Sequence, residues 1–196
     1  MKNSRQHLTA SKAAGKFGLV CGSSHPCRSK YDSAVTAEPR TLHLIDAENL
    51  LGGAVFTVEQ ARSLRTTLEL TSGYRHGDSV VIASSHMSAG ELWIGWGDSA
   101  RRLVRSGPDG ADLVLLDVLR AEQPHKRFDR VVVASGDGIF AADCARLQML
   151  GCDVTVIAAD EGSLSNSLRL VTKDVRILGQ SAVQPKSSAF AMGAAA

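Results

Sequence analysis

Aromatic residues make up only 5% of the 196-residue chain, which also has just four cysteines and five prolines. With so few rings, a core has to be built from Val, Leu, Ile and Ala. Cys21, Cys27, Cys144 and Cys152 are too few and too unevenly placed to frame a disulfide scaffold. Cys144 and Cys152 lie among apolar residues, where a reduced cysteine behaves as a small core hydrophobe. The segment Cys21-Gly-Ser-Ser-His25-Pro-Cys27 lacks a second Cys/His pair at suitable spacing, which argues against a zinc site. No apolar run approaches the roughly 18–20 residues that cross a bilayer as a helix. The stretch Phe17-Gly-Leu-Val-Cys21 is shorter than the roughly 7–15 apolar residues of a signal peptide, and Val20 is bulky where a small residue is needed. A cytoplasmic location is the expectation.

What is present is average for a globular protein, 44% hydrophobic and 21% charged, so wholesale disorder is excluded. The net charge of +2 hides an asymmetry. Residues 1–40 carry seven Lys or Arg against two acids, and the remainder is slightly acidic, at −3. A slightly acidic domain is a poor non-specific polyanion binder, so nucleic-acid contacts would rest on local patches or on the basic arm. Residues 1–40 are rich in Ser, Lys, Gly and Ala and read as a flexible arm; residues 180–196 read as a flexible tail. Residues 41–179 remain as one domain.

Inside that domain strands and helices alternate. Thr41–Ile45, Ser79–Ala83, Arg130–Ser135 and Asp153–Ile157 read as strands, with further strands at 101–105 and 175–178. Thr57-Val-Glu-Gln60 has the form of a capping box opening a helix to about Thr71. Further helices are expected at 111–121, from Gly136-Asp137-Gly138 to near Gly151, and at 164–170. Residues 86–100 fit neither period. The alternation predicts an α/β fold with a parallel sheet and helices on both faces.

In such sheets the site lies beyond the carboxyl ends of the strands. Asp46 ends the first strand, Asp137 follows the clearest one, and Asp112 opens a helix after a Pro/Gly turn. Taken singly, each aspartate also reads as a cap or turn residue. Clustered, they would hold a hard cation such as Mg²⁺, whose ligands are carboxylate oxygens and water.

Three motifs carry a resemblance. Leu44-Ile-Asp46-Ala-Glu-Asn49-Leu, Gly110-Ala-Asp112-Leu-Val-Leu-Leu-Asp117 and Val133-Ala-Ser135-Gly-Asp137-Gly-Ile-Phe140 resemble those of NYN domains, relatives of the PIN-like nucleases. Leu147-Gln-Met-Leu-Gly151-Cys-Asp-Val154 continues the match, which spans about 41–178. The resemblance implies a three-layer sandwich around a mainly parallel sheet, and a ribonuclease that hydrolyses phosphodiesters of single-stranded RNA with Mg²⁺ or Mn²⁺. It implies Asp46, Asp112 and Asp137 as metal ligands and Asn49 as a polar helper that orients water or phosphate. Asp117 and Ser135 are additional candidates. Asp117 is five residues past Asp112, about 140° round a helix, so the two do not face one metal equally. The sequence leaves room for a homodimer.

One position departs from the family pattern. The third motif commonly reads Ser-Gly-Asp-x-Asp-Phe, and here Ile139 stands where the second acid is expected. An isoleucine neither ligates a cation nor polarises water, so a catalytically weakened RNA-binding or regulatory module is the alternative.

Two other folds compete. Gly136-Asp-Gly138-Ile-Phe-Ala141 reads as G-x-G-x-x-A and suggests a dinucleotide-binding Rossmann protein. Asp137 would then press a carboxylate against the pyrophosphate, and Asp46 and Asn49 would go unexplained. Asp46-Ala-Glu48 imitates a haloacid-dehalogenase-type phosphatase, but that family's last motif needs an acid where Ala141 stands. Trp93, Trp96 and His86 suggest either base stacking or, for the tryptophans, a core-facing helix stripe. Arg101, Arg102 and Arg105 suit phosphate contacts or a solvated face, and His43 reads as a core or edge residue.

Overall fold

A computed structural model describes residues 38–180. Most of the basic arm, including the Cys21–Cys27 segment, and the tail from residue 181 onward lie outside the described residues. Where the described chain begins, Arg40 is already anchored. Its N–H donates to Asp129 Oδ2 at 2.9 Å, and its carbonyl accepts from the backbone N–H groups of Asp129 and Arg130.

The strands are β1 Thr41–Asp46, β2 Ser79–Ser84, β3 Arg101–Val104, β4 Arg130–Ala134, β5 Asp153–Ala158 and β6 Asp174–Ile177. They form one sheet in the order β3-β2-β1-β4-β5-β6, with every pair parallel. The central strands read as unbroken apolar runs because both faces are covered. Successive side chains point to opposite faces. Leu42, Leu44, Val131, Val133, Val154 and Val156 therefore join one core, and Ile45, Ile82, Val132, Ala134 and Ile157 join the other.

The helices are α1 Ala47–Leu51, α2 Val58–Ser72, α3 Ala89–Trp96, α4 Gly110–Ala121, α5 Ala141–Met149 and α6 Asn166–Val171. Helices α4, α5 and α6 cover the first core, through Leu115, Leu119, Cys144, Leu147 and Leu168. Helices α1, α2 and α3 cover the second, through Leu50, Leu64, Leu68, Leu92 and Trp96. The result is the expected three-layer α/β sandwich, its sheet wholly rather than mainly parallel.

The capping box forms as its sequence predicts: Gln60 N–H donates to Thr57 Oγ1 at 3.2 Å, and Thr57 N–H to Gln60 Oε1 at 2.8 Å. The ambiguous stretch 86–100 resolves into α3. Trp96, 3% exposed, packs into the second core, with half-buried Trp93 against it under the Arg102 guanidinium. That arrangement is the core stripe. His43 is buried on β1, with Nε2 3.2 Å from Asp78 Oδ2.

The chain runs outward from β1 to β3, then returns to β4 and runs outward on the other side to β6. The order therefore reverses between β1 and β4. A crevice opens beyond the carboxyl ends of strands at such a reversal. Asp46 is the last residue of β1, and Ser135-Gly136-Asp137 leaves the end of β4.

Candidate active site

Asp46 is 2% exposed and cannot turn away, because its own strand is packed on both faces. Its Oδ1 accepts from Asn49 N–H at 3.1 Å, capping α1, and its Oδ2 accepts from Ser135 Oγ at 3.3 Å. Ser135, 1% exposed, also accepts from Asp137 N–H at 3.2 Å. One hydroxyl thus ties the end of β1 to the turn after β4. Asn49 makes the second tie: its Oδ1 accepts from Gly136 N–H at 2.9 Å. That leaves the Asn49 amide NH₂ without a protein acceptor among the described residues.

Asp112 arrives from the other side, in the first turn of α4. Its Oδ1 is buried and has no hydrogen-bond partner among the described residues. Its carboxyl lies against that of Asp46, and burial pushes both above the usual carboxylate range. For Asp112 the burial is joined by the Asp46 carboxylate and by the charges of Asp137 and Asp109, which together raise it to about 8. Two carboxylates in contact, with no cation between them, share a proton or wait for a positive charge.

Asp137 stands apart from this pair. Its Oδ1 accepts from Ile139 N–H at 2.9 Å and caps a short 3₁₀ turn, Gly138–Phe140. It acts on Asp112 through charge. Among the described residues no group of three or more His, Cys, Asp or Glu side chains converges tightly enough to enclose a metal ion. Of the three expected ligands, the structure brings Asp46 and Asp112 together and turns Asp137 towards its own turn. Asp117 is not brought to the pair. It is exposed on α4, 3.5 Å from Arg105 Nη1.

The pair opens into a cleft of about 210 Å³ lined by Asp46, Glu48, Asn49, Asp109, Asp112 and glycine backbone. Glu48 and Asp109 are carboxylates that motif spacing does not assign to the site. Glu48 holds the β2–α3 loop, its Oε1 accepting from Ser85 N–H at 2.5 Å and Ser88 Oγ at 3.3 Å. Asp109 has φ of 54°, in the left-handed region that aspartate enters more readily than most non-glycine residues. The pairing of Asp46 with Glu48 two residues on, and the Pro-Asp-Gly turn, were the available signals.

The donor set suits a hard divalent cation. Mg²⁺ takes oxygen ligands, keeps several waters, and is commonly bound by one or two carboxylates. The buried, unbonded Asp112 oxygen beside Asp46 is the kind of free acceptor such an ion satisfies.

The glycines of the G-x-G sequence have another explanation. A Cβ on Gly136 would lie 2.3 Å from the Ser163 carbonyl oxygen, and one on Gly138 2.6 Å from Ser167 Oγ. The β5–α6 loop and the first turn of α6 press on these two positions, which accounts for the glycines without a pyrophosphate. Arg101 pairs with Glu122 at 2.5 Å, and Arg102 donates to the Gly97 carbonyl at 2.7 Å, so both are engaged within the protein.

Residues 111–178 match the family model of the NYN domain, which bears out the resemblance carried by the second and third motifs. Asp112, Asp117, Ser135 and Asp137 fall within the match, while Asp46 and Asn49 precede it. NYN domains have a PIN-like nuclease fold, and nucleases of that kind generally use divalent metals. Among solved structures, a protein of unknown function from Vibrio parahaemolyticus is similar, with a TM-score of 0.50 and 16% identity over 72% of this chain and 94% of that one. That likeness is one of fold. No curated protein matches the chain.

Proposed function

We propose, from the NYN match over residues 111–178, that the protein is a divalent-metal-dependent ribonuclease that cuts single-stranded RNA in the acidic cleft. The observation that carries this reading is the Asp46–Asp112 pair, two carboxylates in contact with one buried oxygen unsatisfied. Asp46 and Asp112 would hold Mg²⁺ or Mn²⁺, with Asp137 adding negative charge at the edge. When bound, the cation supplies charge stabilisation at the scissile phosphate and lowers the pKa of water. The chain's own residues position the reactants. Ser135 fixes the Asp46 carboxylate and the Asp137 backbone. Asn49 pins Gly136 through its carbonyl and offers its NH₂ to a phosphate oxygen.

Purified protein is expected to cleave single-stranded RNA with Mg²⁺ or Mn²⁺. EDTA should stop the reaction, and Asp46→Asn should reduce it by at least about 100-fold, as for loss of a principal electrostatic group. Cleavage that survives both treatments contradicts the reading.

A second reading rests on Ile139, which is half-buried and packs against the first core where the family motif has an acid. The cleft then has one carboxylate fewer, and the domain would bind RNA without turnover. Ile139→Asp separates the readings. An inert parent with an active variant favours the binding module, and equal cleavage by both makes Ile139 irrelevant.

A further inference from the structure

The cleft is lined by four carboxylates, Asp46, Glu48, Asp109 and Asp112, and by no cationic side chain. A bound cation would offset part of that charge at one phosphate. The neighbouring phosphates of a strand would still meet an acidic wall, so a donor is needed at the rim.

His86 is tied, by chain and by hydrogen bond, to the two loops that flank the cleft. Its loop leaves the end of β2, and the residue before it, Ser85, is held by Glu48 of the cleft. His86 is exposed, yet two bonds fix it to the loop after β3. Its backbone N–H donates to Ser106 Oγ at 3.2 Å, and its ring Nδ1 lies 2.7 Å from the same oxygen. Ser106 directly precedes Gly107, which lines the cleft. The Ser106 hydroxyl can donate its hydrogen to Nδ1 while accepting from the backbone, and in that tautomer the ring proton is on Nε2, which has no partner among the described residues. An exposed side chain ordinarily stays loose to avoid the entropy of being fixed. This one is oriented, with Nε2 left unused among the described residues.

We propose that His86, positioned by Ser106, binds the phosphate next to the scissile one and so serves as an RNA subsite beside the acidic cleft. The proposal rests on the ribonuclease reading for its substrate. His86 acts on binding and takes no part in the bond cleavage.

The test uses the full chain with His86→Ala and Ser106→Ala. Steady-state cleavage with Mn²⁺ is measured on an eight-nucleotide RNA and on a dinucleotide, whose single phosphodiester is the scissile one. Binding of the labelled eight-nucleotide RNA in EDTA is followed by fluorescence anisotropy. Loss of one solvent-exposed hydrogen bond, at the ordinary net worth of about 0.7–1.4 kcal/mol, should raise KM on the longer RNA about 3–10-fold with kcat nearly unchanged. The dinucleotide should be insensitive, Kd should weaken by the same factor, and Ser106→Ala should follow in the same direction. A fall in kcat on both substrates, or unchanged KM and Kd, overturns the proposal. If the parent binds RNA without cutting it, the ribonuclease reading fails while the anisotropy arm still judges His86. A parent that neither cuts RNA with Mn²⁺ nor binds it overturns both.

Discussion

Asp112 brings a carboxylate into a half-buried position where its nearest polar neighbour is another carboxylate. Its pKa is raised to about 8 in the folded protein, against an ordinary value of 3.8. A raised folded pKa contributes stability that is complete below the unfolded value and is lost as pH rises towards the folded one. The metal-free protein should therefore lose stability between about pH 4 and pH 8. We predict that Asp112→Asn, measured in EDTA, raises the melting temperature by about 2–5 °C at pH 8 and by less at pH 4.5. Equal melting curves at both pH values would show that the carboxylates are not in conflict. His43 gives the opposite dependence. Burial pulls its pKa below 6.5, against the opposing pull of Asp78, so the folded state keeps it neutral. Stability from this group is complete above pH 6.5 and falls as pH drops through the lowered value. His43→Gln should flatten the decline in melting temperature between pH 6.5 and pH 5.

At the scale of elements, the ends of strands carry the candidate site. Gly136 follows β4, donates to Asn49 and lies under the Ser163 carbonyl. Gly136→Ala should cost about 1–3 kcal/mol in urea unfolding, as overpacking does, and should weaken cleavage by displacing Asn49. A variant as stable as the parent would mean the β5–α6 loop simply shifts. The same elements show what a sequence discloses. Strands β1, β4 and β5 were legible because burial on both faces demands unbroken β-branched and aliphatic runs. Helix α3 was not, because Gly90, Gly95 and Gly97 interrupt its period and its apolar residues face a neighbouring helix. That Asp46 and Asp112 come together was legible from motif order, Asp46 at the end of β1 and Asp112 in the first turn of α4. Asp137's engagement with Ile139 N–H, and the presence of Glu48 and Asp109 in the cleft, depend on loop conformation, which spacing along the chain does not specify.

For the whole molecule, one reversal of strand order places the end of β1, the turn after β4 and the start of α4 around a single acidic cleft. The chain beyond residue 40 has a charge of −3, whereas residues 1–40 carry +5. We predict that removing residues 1–37 weakens RNA binding and flattens its salt dependence, by about 0.7 in log–log slope for each phosphate the arm no longer neutralises. An unchanged slope would leave the arm without a role in binding. The central claim is that Asp46 and Asp112 together hold a divalent cation. Titration of Mn²⁺ into the purified protein, followed by the loss of free-ion signal in electron paramagnetic resonance, tests it most directly. The parent should bind Mn²⁺ in competition with Mg²⁺, and either Asp46→Asn or Asp112→Asn should weaken that binding at least about 10-fold. Equal Mn²⁺ affinity in the parent and both variants would contradict the account.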